Sequence, residues 1–458
     1  MTKKVFLVLL ISLLALFTRT YNLSTNSHFL RDEARDLINI QKIYEEKKIT
    51  LVGPISDNES HVFSALSYYL YLPFAVLGNF DIQSTVWGAV FWGMLTFVSL
   101  WFLAVKINPK SFIWAGILGA VFWPLVETSR WPWNPNFLVF WLTLSLIFQL
   151  NKGKIYNFLS GIMAGLSLHH HFLSIVAIFL IWIKKRKVLF LLGVLLVFLP
   201  FVIFDLMHPP GLFLTKFLGY NRGVGLPSLL GIYHKYVEGL VMTWTYFWGK
   251  SAFSYLLSVI LCFIVVADIK KKNKNMYYLL ASFFSVGVFI FYAEQIHYIF
   301  PIIPFFWMWL FGKRKKENHK LVVLFLILAI GISANIFTTN VKKVSCLTNL
   351  KLYQGASDII EREIKIKNLV NANIVTLQTE NELCETKIYR NILETKKIPL
   401  KRIEEYDISD NLFVISPSDE DTLRKDPAYE INNFRNGIVV GEWKIEGTDY
   451  KVFQFNKY

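Results

Sequence analysis

The sequence predicts an all-α membrane protein of many spans that carries a small external α/β domain at its C-terminal end. Three observations predict it. Hydrophobic residues make up 54% of the 458 positions and charged residues only 18%, with a mean hydropathy of +0.41, too apolar for a chain packed in water. Apolar runs of about 15 to 22 residues recur between short Lys and Arg clusters, the length a bilayer core requires. From Thr338 the composition turns polar, and strand-like runs alternate with amphipathic helical ones. The net charge of +15 does not point to nucleic acid, because the cations bunch between spans and set orientation there. No short-period repeat is present, which excludes solenoids and propellers.

The elements follow in order. Lys3 and Lys4 ahead of VFLVLLISLLALF, with no small-x-small cleavage site after it, give an uncleaved first span entering from the cytoplasm. Residues 20–83 then form a first external loop. Within it, SALSYYLYLPFAVLG (Ser64 to Gly78) is long enough to raise the question of a crossing. A crossing would put the clusters at Lys106 and Lys110, Lys152 and Lys154, Lys184 to Lys187, Lys270 to Lys274 and Lys313 to Lys316 mostly outside, against the positive-inside rule. The run is therefore read as lying in the outer interface, where Tyr68, Tyr69 and Tyr71 suit the headgroup level.

Later spans fall near 84–105, 112–126, 137–150, 156–168, 172–183, 188–204, 252–267, 276–292, 298–311 and 321–337, about eleven with the first. An odd number leaves the N-terminus cytoplasmic and the C-terminus outside a plasma (inner) membrane. Residues 1–339 thus form the membrane domain and 340–458 the external one, with strands expected at NIVTLQ, NLFVIS, GIVVGEW and YKVFQF. Cys346 and Cys384 share the external compartment, where a disulfide and two free thiols both stay open. Cys262 lies in an apolar run, and no zinc spacing appears.

This topology gathers unusual polar residues on one side. Outside lie Asp32, Glu33, Arg35 and Asp36, then Arg130 and Asn134 in ETSRWPWNPN, and His169, His170 and His171. Asp205 and His208 in FDLMHPP and Glu294 and His297 in YAEQIHY complete the set. Taken singly, each has a structural reading. Asp32 and Glu33 suit a helix start, Arg130 suits an anchor among tryptophans, and consecutive histidines on a helix face different ways. Their common side argues for function, since ionisable groups beside lipid are costly. An outer carboxylate can deprotonate a hydroxyl while cations or imidazoles hold a phosphate leaving group. A lipid-linked phosphosugar fits such a site.

A first span, an external loop in which RDEARDLINIQKIYEEKK opens a helix with Asp-Glu, and GPISDNESHVFSALSYYLYLPFAVLG ahead of a new span together resemble the GT-C membrane glycosyltransferases. They are most similar to the bacterial branch of family 39, that of protein O-mannosyltransferases and aminoarabinose transferases. SRWPWNPNFLVFW and GLSLHHHFLSIVAIF also look like segments of that branch. The resemblance implies that Asp32 accepts the acceptor's proton, that Glu33 orients it or the acceptor, and that the interfacial run is a jaw helix. Arg35 resembles the DE-x-R form of lipid-modifying members, whereas Ser64 and Ala65 stand where members often carry Pro-Pro-Leu. The C-terminal domain is then an acceptor-selecting or capping module.

The expected activity is inverting transfer of a sugar from a polyprenyl-phosphate donor to a hydroxyl on a lipid, glycan or protein. Arg130, His169, His170, His171 and His297 are the expected donor ligands, supported by Arg35, Asn134, Asp205, His208 and Glu294. No cofactor is assigned, and a divalent metal stays open. The alternatives are a transporter or flippase of lipid-linked sugars, which places ionisable residues midway along spans, and an outer-face oligosaccharide ligase or polymerase. The ligase reading rests on the long segment Met207 to Lys250 with Lys216, Arg222 and His234.

Overall fold

The computed structural model describes residues 3–55, 62–185, 187–213, 228–286, 296–314, 316–377 and 385–457. In chain order the elements are α1 (Lys3–Thr20), α2 (Arg31–Glu46), the hairpin β1 (Val52–Ile55) and β2 (Val62–Ser64), α3 (Leu66–Leu77), α4 (Ile82–Ile107), α5 (Phe112–Val121), α6 (Trp123–Thr128), α7 (Leu138–Gln149), α8 (Lys154–His170), α9 (Ser174–Lys185) and α10 (Val188–Met207). Helices Leu229–Trp248, Ala252–Lys270, Met276–Val286, Ile302–Leu310, Lys316–Asn340 and Leu350–Lys367 follow. The strands β3 (Ala372–Thr376), β4 (Asn411–Ser416), β5 (Ile438–Lys444) and β6 (Lys451–Asn456) close the chain, with helix Thr386–Thr395 between β3 and β4.

The residues form two compact units that do not follow chain order. One contains Met1–Tyr21, Thr50–Ser67 and Ala89–Asn340; the other contains Asn22–Ile49, Tyr68–Gly88 and Val341–Tyr458. Asn22–Ile49 and Tyr68–Gly88, expected in the membrane domain, fold instead with the C-terminal segment.

The first unit is a helical bundle around an apolar core that includes Phe97, Phe122, Trp248, Trp307 and Trp309. Among the described residues, Ile82–Ile107, Val188–Met207, Ala252–Lys270 and His319–Asn340 are long and apolar enough to cross a membrane by length and composition. Shorter apolar helices are Ser174–Lys184 and Met276–Val286. The predicted span 112–126 is two helices, because Pro124 has no N–H to give the carbonyl of Ala120. Thr18 Oγ1 donates to that carbonyl instead at 2.7 Å, joined by Arg19 Nη1 at 3.2 Å, and Arg19 Nη2 reaches the Gly119 carbonyl at 3.2 Å. Segment 207–250, read from sequence as a loop, contains the helix Leu229–Trp248; His234, Lys235 and Glu238 interrupt its apolar pattern. α8 and α10 cross so closely that a methyl at Gly161 would meet the Phe190 carbonyl oxygen at 2.0 Å, and one at Gly193 the Phe158 carbonyl oxygen at 2.3 Å, the small-residue crossing that membrane helices favour.

In the second unit the sheet runs β3-β4-β6-β5. β3 pairs parallel with β4 (Ile374 opposite Phe413), and β6 pairs antiparallel with both β4 (Val414 opposite Phe453) and β5. All four strands predicted from strand-like runs are present. Leu412, Val414, Leu423, Phe434, Phe453 and Phe455 fill its core. Cys346 is buried and disulfide-bonded; Cys384 lies outside the described residues. α3, only 12 residues long, spans roughly 18 Å at 1.5 Å per residue, short of a bilayer core.

Candidate active site

Two clusters hold the expected site residues, one in each unit. The acidic motif forms the first turn of α2. Glu33 stands third in the helix, and its Oε2 accepts the Leu30 N–H at 2.7 Å. That bond satisfies one of the donors every helix start leaves open. At 4% exposure, Glu33 is turned into the fold, where it caps the helix start.

Asp32 differs: its side chain is 35% exposed and meets Arg35 Nη1 at 2.9 Å. The other edge of that guanidinium, Nε and Nη2, donates to Asp36 Oδ1 at 3.1 and 2.9 Å. Asp36 is buried and also accepts the Tyr68 hydroxyl from α3 at 3.1 Å. Asn39 Nδ2 donates to the same hydroxyl oxygen at 3.3 Å. Burial pushes the Asp36 carboxyl up to about 6, opposed by the Arg35 charge and by the hydrogen bonds of Arg35 and Tyr68. Burial disfavours the Arg35 cation, but Asp36 and Asp32 outweigh it and raise its pKa. Burial, with the Asp36 charge, raises Tyr68 and keeps it a donor. Asp32 is thus an accessible carboxylate at a helix start, oriented by an arginine that a second, buried carboxylate holds from behind. The sequence reading left Asp36 without a role; its (i, i+4) spacing from Asp32 on one helix side is the signal that was available.

The second cluster lies in the helical unit and is aromatic. His171, which ends α8, has its ring centroid 4.8 Å from that of His297. His297 stands edge-on to Trp133 at 4.7 Å, and Trp133 stacks on Trp131 at 4.2 Å. Tyr298 and Phe63 flank the pair, at 4.5 Å from His297 and 5.1 Å from His171. The WPW of the sequence makes the stack, since Pro132 places the two indoles on either side of one residue. His297 is 8% exposed and its Nδ1 finds no hydrogen-bond partner among the described residues. Burial pushes the imidazole down to about 3, so the ring is neutral and keeps one N–H to offer.

The remaining expected ligands have structural partners. Arg130, 1% exposed, donates through Nη1 to the carbonyls of Thr18, Arg19 and Tyr21 at 3.4, 3.3 and 2.7 Å. It caps the C-terminal end of α1, where a cation offsets the helix dipole, and presents no surface to a phosphate. His169 Nε2 donates to the Val197 carbonyl at 3.1 Å, which leaves Nδ1 to accept from Ser64 Oγ at 3.0 Å; both ring nitrogens are used in fastening β2 to α8 and α10. His170 Nδ1 donates to Asn134 Oδ1 at 2.8 Å, and Asn134 Nδ2 returns a bond to the His170 carbonyl at 2.5 Å. Asp205 Oδ1 accepts the Leu212 and Phe213 N–H groups at 2.8 and 3.0 Å, and exposed His208 stacks on Phe204. Glu294 lies outside the described residues, as do Lys216 and Arg222. Among the described residues no group of three or more His, Cys, Asp or Glu side chains is placed to hold a metal ion.

The helical unit also contains a cavity of about 1310 Å³ lined by residues such as Trp123, Glu127, Val241, Trp248, Ile332 and Ile336. Tyr246, also in its wall, donates its hydroxyl to Glu127 Oε2 at 2.7 Å. Among the described residues, none of the site residues expected from sequence lines it.

No protein-family model and no curated protein matches the sequence. Solved structures with a similar fold include ArnT from Cupriavidus metallidurans in the apo state, with a TM-score of 0.58 at 9% identity over 100% of this chain and 99% of that one. They also include that protein bound to undecaprenyl phosphate, with a TM-score of 0.54 at 10% identity over 98% of each chain. The chain therefore has an ArnT-like fold, as the resemblance implied.

Proposed function

We propose that this chain transfers a sugar from a polyprenyl-phosphate donor to a hydroxyl acceptor at the outer face of a membrane, with Asp32 as the general base. The observation that carries the reading is the state of the acidic motif. Of its two acids, Glu33 is buried and caps the helix start, while Asp32 stays accessible and is oriented by Arg35. The shared fold with a protein that binds undecaprenyl phosphate supports a lipid-phosphate donor.

In this mechanism the acceptor hydroxyl gives its proton to Asp32 as its oxygen attacks the anomeric carbon. The bond from that carbon to the phosphate oxygen breaks, and polyprenyl phosphate leaves with the electron pair. In-line attack inverts the anomeric centre. His171 and His297 are the proposed ligands of the donor's polar head, as neutral imidazoles that donate one hydrogen bond each. The largely apolar cavity bounded by Trp248, Ile332 and Ile336 is the proposed seat of the polyprenyl chain. The test is to incubate the purified protein with a labelled polyprenyl-phosphate sugar and membrane extract. The reading requires free polyprenyl phosphate and glycosylated product in equal amounts, with the anomeric configuration inverted. Retention of configuration, or donor that crosses a bilayer without being consumed, contradicts it.

A further inference from the structure

We infer that the C-terminal α/β domain is a positioning element for Asp32, acting through the packing of α2 on helix Thr386–Thr395, rather than a module that selects the acceptor. The inference rests on the transferase reading above, and it begins from the way the second compact unit is built. Residues 22–49 of the first external loop fold with 341–458, and the contacts are specific. The Ser27 N–H donates to the Thr348 carbonyl at 2.9 Å, the Lys351 N–H to the Ser24 carbonyl at 3.2 Å, and Asn26 Nδ2 to the Lys343 carbonyl at 2.6 Å. These bonds fix the entry to α2.

Along α2 itself, helix Thr386–Thr395 supplies the packing partner. Gln41, 9% exposed, donates to the Thr395 carbonyl at 3.1 Å. Lys42 faces Glu394 at 3.4 Å and Glu45 faces Lys397 at 3.1 Å. Ala34, Leu37, Ile38 and Gln41 are all buried, and they share one helical stripe at spacings of three and four. At about 100° per residue, Asp32 lies nine positions before Gln41 and so roughly opposite that stripe. The docked face therefore sets the rotation of α2, and the rotation sets the direction of Asp32. One turn along the Asp32 side, Tyr68 holds Asp36, so α2 is gripped between α3 and the C-terminal domain while the Asp32 side chain keeps 35% of its surface exposed. Gln41 is a positioning residue, nine positions and so about 13.5 Å along the helix axis from the carboxylate it directs.

The experiment compares three full-length proteins in the transfer assay: wild type, the variant Gln41→Leu/Lys42→Glu/Lys397→Glu, and that variant with Glu45→Lys and Glu394→Lys added. Hydrogen exchange of residues 31–46 is measured in parallel to report the grip on α2. The expected result is faster exchange and a kcat lowered by about tenfold, the sum of one buried hydrogen bond and two exposed ion pairs, with the donor KM unchanged. The charge-swapped variant should recover several-fold in kcat. An unchanged kcat despite faster exchange overturns the inference, as does a loss confined to the acceptor KM or a swap that restores nothing. Wild-type protein that transfers no sugar contradicts the transferase reading itself, whereas an active wild type with an equally active variant contradicts only the positioning role.

Discussion

Arg35 holds Asp32 at 2.9 Å through Nη1, and the opposite edge of the same guanidinium is spent on Asp36. One cation is thus divided between two carboxylates, and the charge it lends to Asp32 depends on whether Asp36 is ionised.

A pH dependence follows. The Asp36 carboxyl sits near 6 in the folded protein, above its ordinary value, so between about pH 4 and 6 the folded state binds a proton that the unfolded chain has released. Stability contributed by this group is therefore present at low pH and falls as pH rises through about 6. Activity moves the other way: below about pH 6 neutral Asp36 leaves Arg35 wholly to Asp32, which weakens Asp32 as a base. Transfer rates measured from pH 5 to 8 should decline on the acid side near 6. Tyr68→Phe removes a donor to the Asp36 carboxylate and should move that decline to higher pH. A profile identical in both proteins would count against the shared cation.

Arg130 and His297 separate fold from function. Arg130→Gln loses charged hydrogen bonds to the end of α1 and should cost on the order of 3 kcal/mol in detergent unfolding, with the donor KM of the surviving protein unchanged. His297→Phe keeps the aromatic contacts with Trp133 and Tyr298 and should unfold normally, yet raise the donor KM by about tenfold, the worth of one well-placed hydrogen bond. The reverse pattern would return the donor to Arg130.

These residues also mark what was legible in the sequence. The four strands of the C-terminal domain were, because short runs rich in β-branched and aromatic residues between helical charge patterns are a local signal. The accessible carboxylate was also legible, because Asp-Glu at a helix start stands out beside a span. That the run Ser64 to Gly78 does not cross was read only from charge asymmetry elsewhere in the chain, and its helix is too short to span a bilayer core. The tasks of His169 and Arg130 were not legible: a place near a span end does not distinguish an imidazole bonded on both nitrogens, as in His169, from one with an orphan nitrogen among the described residues, as in His170 and His297. The break at Phe122 could have been read from Pro124, but its repair by Thr18 and Arg19 depends on a distant helix end. The union of residues 22–49 with the C-terminal domain leaves no local pattern either.

Asp268 and Arg314 form a buried pair that sequence reasoning passed over, with Nε 3.1 Å from Oδ2 and both side chains at most 4% exposed. Trp309 Nε1 and Asn273 Nδ2 complete the carboxylate's bonds at 3.1 and 2.8 Å. Removing one partner strands a charge, so Asp268→Ala should destabilise by about 3–5 kcal/mol, whereas Lys270→Ala, on the same helix and exposed, should be near neutral. Equal melting temperatures for the two variants would contradict this assignment.

The central claim is that Asp32 removes the acceptor's proton, and the most direct measurement is the transfer rate of Asp32→Asn with donor binding followed separately. The amide keeps the size of the side chain and cannot take a proton. The account predicts a fall in kcat of about 10²–10⁴-fold, the usual contribution of a general base, with polyprenyl-phosphate sugar still bound at wild-type affinity. Transfer at the wild-type rate in that variant would contradict it.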